Sequence, residues 1–247
     1  MSEPAPAPPR TRRRPRSRLV RVVAVLLAVM AAFVFSGLGY ELSLPSVSDA
    51  PALVAAIVKA HGGEIGHLPL PAKLGEAVVA VEDEHFFANV MVNIVDGAAR
   101  GALTALHTSG DPGGSTIAQQ LAKQLYGSGT GFGATLEQVG LGLKLSLSFS
   151  KPEILEMYLN AIYFGNGYWG YVNAARGYFG VSPGSLDWAQ AAMLAGLPQA
   201  PSDYDPVRHF RLAKERQRQV LNQLVANHVL SAAQALAAYR SPLQLHR

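Results

Sequence analysis

The 247-residue sequence predicts a mainly all-α protein, and three observations carry that expectation. From Ala72 onward the apolar residues recur three and four positions apart rather than at every second position, which is helical periodicity. Thr116 precedes Gln119, Ser150 precedes Glu153 and Ser231 precedes Gln234 by three residues, each pair opening an apolar-periodic run in the pattern of a capping box. No run of alternating β-branched residues is long enough for a central sheet. Hydrophobic residues make up 49% of the chain and charged residues 15%, a balance that excludes a disordered polypeptide.

The elements follow in order from the N-terminus. Residues 1–9, MSEPAPAPP, are a Pro/Ala-rich stretch unable to bury a core. Seven arginines and one acid, Glu3, lie within residues 1–21. They hide the true character of the rest: 22–247 holds 14 basic and 16 acidic residues, a net charge of −2, so the body is not a nucleic-acid binder by charge. Val22 to Leu38 then runs without a charge, and at ~1.5 Å per helical residue it covers roughly 26 Å, close to the thickness of a bilayer core. Arginines on the near side only predict a cytoplasmic N-terminus and an extracytoplasmic body, with Tyr40 as an interfacial anchor. A single-pass anchor is preferred to a cleaved signal peptide, because no small-x-small site stands between Ser36 and Ser46. The expected division is a basic tail 1–21, an anchor 22–39, a proline-punctuated connector 40–64 with one short helix from Leu53 to Ala60, and a helical domain 65–247.

Three segments of that domain could carry chemistry. In AVVAVEDEHFF, residues 77–87, Val78 and Val79 lie one turn before Glu82 and Phe86 one turn after, which sets a carboxylate on or beside an apolar face. Burial and the neighbouring Asp83 and Glu84 would raise its pKa toward that of a general base. On this segment alone an exposed acidic patch at a helix end is the simpler reading. In GDPGGSTIAQQLAKQLY, residues 110–126, glycines and hydroxyls at a helix start suit an anion, and Lys123 lies one turn beyond Gln119 on the polar face. Ordinary capping of an amphipathic helix explains the same pattern equally well. In 150–180 Pro152 opens a helix that leads into Tyr163, Phe164, Tyr168, Trp169, Tyr171, Tyr178 and Phe179, aromatics that could stack on sugars but for which core packing is the better default.

Several chemistries drop out. The chain has no cysteine, which removes disulfides, thiolate metal sites and a cysteine nucleophile. Seven histidines show no H-E-x-x-H spacing. Ser148 to Lys151 reads as S-x-x-K, but no K-T-G or S-D-N partner follows, so a transpeptidase is not indicated.

Together the segments are specific. ED-x-x-F at Glu82, Asp83 and Phe86, GGST-I-x-QQ-L-x-K from Gly113 to Lys123, SK-x-EILE-x-YLN from Ser150 to Asn160, and AAMLAGLPQAPSDYDP at 191–206 occur in this order. Over about 65–225 the series resembles the peptidoglycan glycosyltransferases of family 51, found in monofunctional transglycosylases and in bifunctional penicillin-binding proteins. The resemblance implies a lysozyme-like, two-lobed helical domain that joins lipid II units in bacterial cell-wall assembly, with inversion and release of undecaprenyl pyrophosphate. It also implies as partners lipid II, the nascent glycan strand, the cytoplasmic membrane and other wall-synthesis proteins, and no nucleic acid. The family's catalytic base falls on Glu82, and the lysine that offsets pyrophosphate charge falls on Lys123. Asp83, Phe86, Arg100, Gly114, Ser115, Thr116, Gln119, Gln120, Glu137 and Gln138 fall on substrate-contacting positions. No tightly bound cofactor is implied, although a divalent cation, Mg or Mn, accompanies the pyrophosphate in some members.

The sequence departs from the family at defined places. Asn89 stands where the family has histidine, and Arg100 matches its arginine only with one residue inserted. Counting back from Lys151, the R-K-x-x-E segment falls on Ala134, Thr135 and Gln138, with Glu137 beside the last, and the glycine run 127–133 lacks the family's arginine. The leading expectation is therefore a polymerase resting on one lysine; a catalytically silent member that binds lipid II or scaffolds other enzymes is the alternative, and a lysozyme-like hydrolase a weaker third.

Overall fold

Prolines and capping side chains mark where this chain turns into helix. The structure, a computed structural model, describes Gly39 and residues 43–87, 116–127 and 129–246, with only the backbone of Phe132. Two compact units are distinguished, Met1–Leu44 and Pro45–Arg247. The tail 1–21 and the apolar span Val22 to Leu38 belong to the first and lie outside the described residues, as do Asn89, Arg100, Gly114 and Ser115. Among the described residues no helix is long and apolar enough to cross a membrane.

In the second unit the described residues form nine α-helices and one 3-10 turn. Helix α1 spans Ala50–Ala60. It begins one turn earlier than the expected Leu53, because Pro51 in the first turn sacrifices no hydrogen bond there. Its buried residues, Ala50, Val54 and Val58, recur every fourth position. Helix α2, Ala72–Glu82, follows Pro71 and buries Leu74, Ala77 and Val78. It stops at Asp83, whose φ of −160° and ψ of 80° leave the helical region, so Glu82 is the last helical residue.

Helices α3, Ile117–Tyr126, α4, Phe132–Ser148, and α5, Lys151–Ala161, come next. They are followed by α6, Tyr171–Phe179, a 3-10 turn, Pro183–Ser185, and α7, Trp188–Gly196. The long α8, Phe210–Ala226, and α9, Ala232–Arg240, complete the order. Each expected cap is present. The Thr116 hydroxyl accepts from the Gln119 N–H at 3.2 Å while Gln119 Oε1 accepts from the Thr116 N–H at 3.0 Å. At α5 the Glu153 carboxylate accepts from both the N–H and the hydroxyl of Ser150, at 2.8 and 2.7 Å, which holds its pKa below the usual carboxylate range. Ser231 and Gln234 close the box at α9. A fourth box, Asp187 with Gln190, opens α7. Among the described residues the only β pairing is a single antiparallel bridge, Tyr163 with Trp169.

Two packed groups of helices flank the site. Helix α7 is buried along most of its length through alanines, Met193 and Leu194, and these small side chains let α2 and α8 pack on it and on each other. Helix α3 packs on α4 and α5, and α1 on α5. Where α3 crosses α4 the contact is backbone-close: a Cβ on Gly142 would stand 2.9 Å from Gln119 Cγ and 3.1 Å from Gln119 N. Of the aromatic stretch, Phe164, Tyr171, Tyr178 and Phe179 are buried, as the core-packing default has it. Trp169 is half-buried and stacked on His61 at 4.1 Å.

Candidate active site

Asp83, which caps the end of α2, and Ile117, which starts α3, are 34 residues apart in sequence, and the two helix ends meet through two adjacent carboxylates with different surroundings. Asp83 is buried at 4% exposure, and its Oδ2 accepts from the N–H of Ile117, the first residue of α3, at 3.2 Å. A carboxylate there satisfies a backbone donor that no helical partner reaches and opposes the positive end of the helix. Lys151, the first residue of α5, adds a cation: burial lowers its pKa and Asp83 pulls it back up. The Lys151 ammonium also lies 4.7 Å over the ring of Phe86, itself 1% exposed. Asp83 and Phe86 therefore join three segments that the sequence keeps far apart.

Glu82 points elsewhere. Its Oε2 accepts from Gln120 Nε2 at 2.9 Å, and Gln120 Oε1 accepts in turn from the Tyr158 hydroxyl at 2.8 Å. Tyr158 is 1% exposed, and burial followed by the Glu82 charge pushes its pKa well up, so it remains a neutral phenol. Glu82 as a whole is half-buried, with Oε1 shielded from solvent. A positive charge approaches from α8: burial lowers the Arg216 pKa, and Glu82, then Tyr204, raise it. The Arg216 guanidinium is further held by a 3.3 Å bond from Nε to the Gly196 carbonyl. Carboxylate, amide, buried phenol and partly buried guanidinium thus converge from α2, α3, α5 and α8.

The other expected positions distribute unevenly. Thr116 and Gln119 bond to each other in the α3 cap. Lys123 is exposed on α3, one turn beyond Gln120 and so on the same side of the helix. Glu137 is exposed and Gln138 half-buried on the first turns of α4. Thr135 turns its hydroxyl onto the Gly131 carbonyl at 3.3 Å.

Residues outside the expected set also shape the site. Tyr158 lies in the YLN triplet seen in the sequence, but neither its burial nor the partner of its hydroxyl was legible there. Asn160 of the same triplet is 1% exposed and pairs with the backbone of Gly66 in both directions, at 2.8 Å each way, which fixes the loop leading to α2. Only glycine fits at Gly66, since a Cβ would stand 2.0 Å from the Tyr171 hydroxyl oxygen. For Arg216 the sequence offered no signal beyond its place on a helix.

The comparisons with known proteins bear on the same segments. The family model described as "Transglycosylase" matches residues 59–225, which takes in Glu82, Gln120, Tyr158 and Arg216. A Cupriavidus necator protein named as a transglycosylase is 37% identical over 177 residues, covering 71% of this chain and 76% of that one. Penicillin-binding protein 1A of Neisseria gonorrhoeae is 38% identical over 179 residues, 72% of this chain but 22% of its own length, so the chain spans about a fifth of that relative. A crystal structure of penicillin-binding protein 1A from Haemophilus influenzae aligns over 74% of this chain and 18% of its own, at 23% identity and a TM-score of 0.46, too distant to inform the geometry. The ordered motifs, the helical fold around Glu82 and a family match over most of the chain agree, and the chain belongs to the transglycosylase family of peptidoglycan glycosyltransferases.

Proposed function

We propose that the chain polymerises lipid II, with Glu82 as the general base and Lys123 as the cation on the leaving group. The observation that carries this reading is the Glu82 carboxylate, held by Gln120 on the same helix that presents Lys123 one turn later. The 4-hydroxyl of the acceptor disaccharide attacks the anomeric carbon of the donor. Its proton passes to Glu82, the bond from that carbon to the pyrophosphate oxygen breaks, and undecaprenyl pyrophosphate leaves with the electron pair. A carboxylate accepting that proton supplies ~10²–10⁴-fold in rate, because a sugar hydroxyl is a poor nucleophile. A pyrophosphate needs no proton to depart, but it does need positive charge.

A lysozyme-like two-lobed cleft, a single cytoplasmic-membrane anchor at Val22 to Leu38 with its arginines inside, and contacts with other wall-synthesis proteins belong to the same reading. Among the described residues no three His, Asp or Glu side chains converge to hold a metal ion. A Mg or Mn ion, where one takes part, would arrive with the substrate and would supply positive charge to the leaving pyrophosphate beside Lys123.

One observation favours a second reading, a silent member that binds lipid II without joining it: Ala134 and Thr135 stand where the family carries two cations. Polymerisation of fluorescent lipid II separates the two. Wild type should extend glycan chains and Glu82→Gln should extend none, with an unchanged circular dichroism spectrum, since an amide cannot accept the proton. Full activity in Glu82→Gln would remove the base assignment; binding without any wild-type turnover would establish the silent reading.

A further inference from the structure

Glu82 and Tyr158 are 76 residues apart, and one amide connects them. A glutamine side chain has a donating end and an accepting end on the same carbon, and a half-turn about its last bond exchanges them. Facing a carboxylate, the two orientations have opposite effects. An N–H aimed at the carboxylate favours the ionised, proton-accepting form, whereas a carbonyl oxygen aimed at it can be tolerated only if the carboxyl keeps its proton to donate. The accepting end of Gln120 is fixed by Tyr158, whose phenol is buried and neutral and so has a proton to give.

We infer that Tyr158 and Gln120 are positioning residues that keep Glu82 in its proton-accepting state, Tyr158 by dictating which end of the Gln120 amide faces the carboxylate. The inference rests on the reading of Glu82 as base. It gives Gln120 a task other than contact with substrate, because both ends of its amide are engaged inside the protein. It also explains why a tyrosine, rather than another large apolar residue, fills a fully buried position on α5: Phe would fill nearly the same volume and provide no donor.

The elements around α2 contribute other charges: Arg216 from α8, Lys123 from α3, Lys151 from α5 acting through Asp83, and Asp83, Glu84 and His85 beside Glu82 itself, while α7 contributes none. A change confined to Tyr158 or Gln120 leaves all of these in place. The difference between variant and wild type therefore reports the amide.

The test uses the full chain in detergent micelles, labelled with 13C at glutamate carboxyls, with Glu82 assigned by its loss in Glu82→Gln. The titration midpoint of Glu82 is measured by NMR beside the pH profile of lipid II polymerisation, for wild type, Tyr158→Phe and Gln120→Met. Both variants should raise the midpoint by about one pH unit, and the acid limb of the rate profile should move by the same amount, a loss of about tenfold on that limb that recovers at higher pH. A merely structural role would lower the rate equally at every pH. An unmoved Glu82 midpoint in folded Tyr158→Phe overturns the inference whatever the activity. If Tyr158→Phe does not fold, Gln120→Met decides: a raised midpoint supports the relay and an unmoved one overturns it. If the midpoint rises but the rate profile stays in place, the relay holds and the assignment of Glu82 as base falls instead.

Discussion

Helices α3 and α4 lie against each other across Gly142, and they have kept very different shares of the site. Helix α3 carries a closed capping box, the amide that binds Glu82, and Lys123. The first turns of α4 carry Ala134, Thr135 and Gln138, the positions onto which the family resemblance maps two cations and an acid. The half of the site to which the proposed reading gives the proton has its carboxylate supported by Gln120 and, behind it, the buried Tyr158 phenol. Under the proposed reading, the described residues offer the leaving group one exposed lysine, Lys123, and the N–H groups at the start of α3.

The largest break in this comparison, after loss of Glu82 itself, is Lys123→Ala. A charge-assisted contact to phosphate is worth ~1.5–3 kcal/mol, so polymerisation should fall roughly tenfold to a hundredfold. The loss should appear in turnover of fluorescent lipid II while the melting temperature stays within a degree or two, because the side chain is exposed. A variant as fast as wild type would show that Lys123 does not touch the leaving group.

Gly142→Ala tests the crossing of the two helices. Alanine improves helix propensity by about 1 kcal/mol, but the new methyl must displace Gln119, whose backbone nitrogen is only 3.1 Å away, and overpacking costs about 1–3 kcal/mol. The expected result is a melting temperature lower by a few degrees and a several-fold slower enzyme, as the capped start of α3 is pushed away from Asp83. A rise in melting temperature would mean that the helices separate freely.

What could be read from the sequence divides by range. Caps at Thr116, Ser150 and Ser231 were legible because each is a bond between residues three apart, and the box at Asp187 and Gln190 obeys the same rule. Glu82 and Gln120 were both identifiable from their motifs. That one binds the other, with Tyr158 behind, was not, since each bond spans 38 residues and depends on how α2, α3 and α5 pack. Asp83 looked like a second acid acting on Glu82, yet its carboxylate accepts from the N–H of Ile117 and acts on the charge of Lys151, neither of which the sequence shows. Gly142 carried no signal in the sequence, because its close approach to Gln119 depends on how α3 and α4 cross.

The most direct measurement of the contrast between the two halves is a divalent-metal titration of lipid II polymerisation by wild type and by a chain carrying Ala134→Arg, Thr135→Lys and Gln138→Glu together. With the proton half complete and the charge half thin, wild type should be slow and dependent on Mg or Mn, and the triple variant about tenfold faster and much less dependent on metal. Rapid polymerisation by wild type in the presence of chelator, unchanged in the triple variant, would contradict the account.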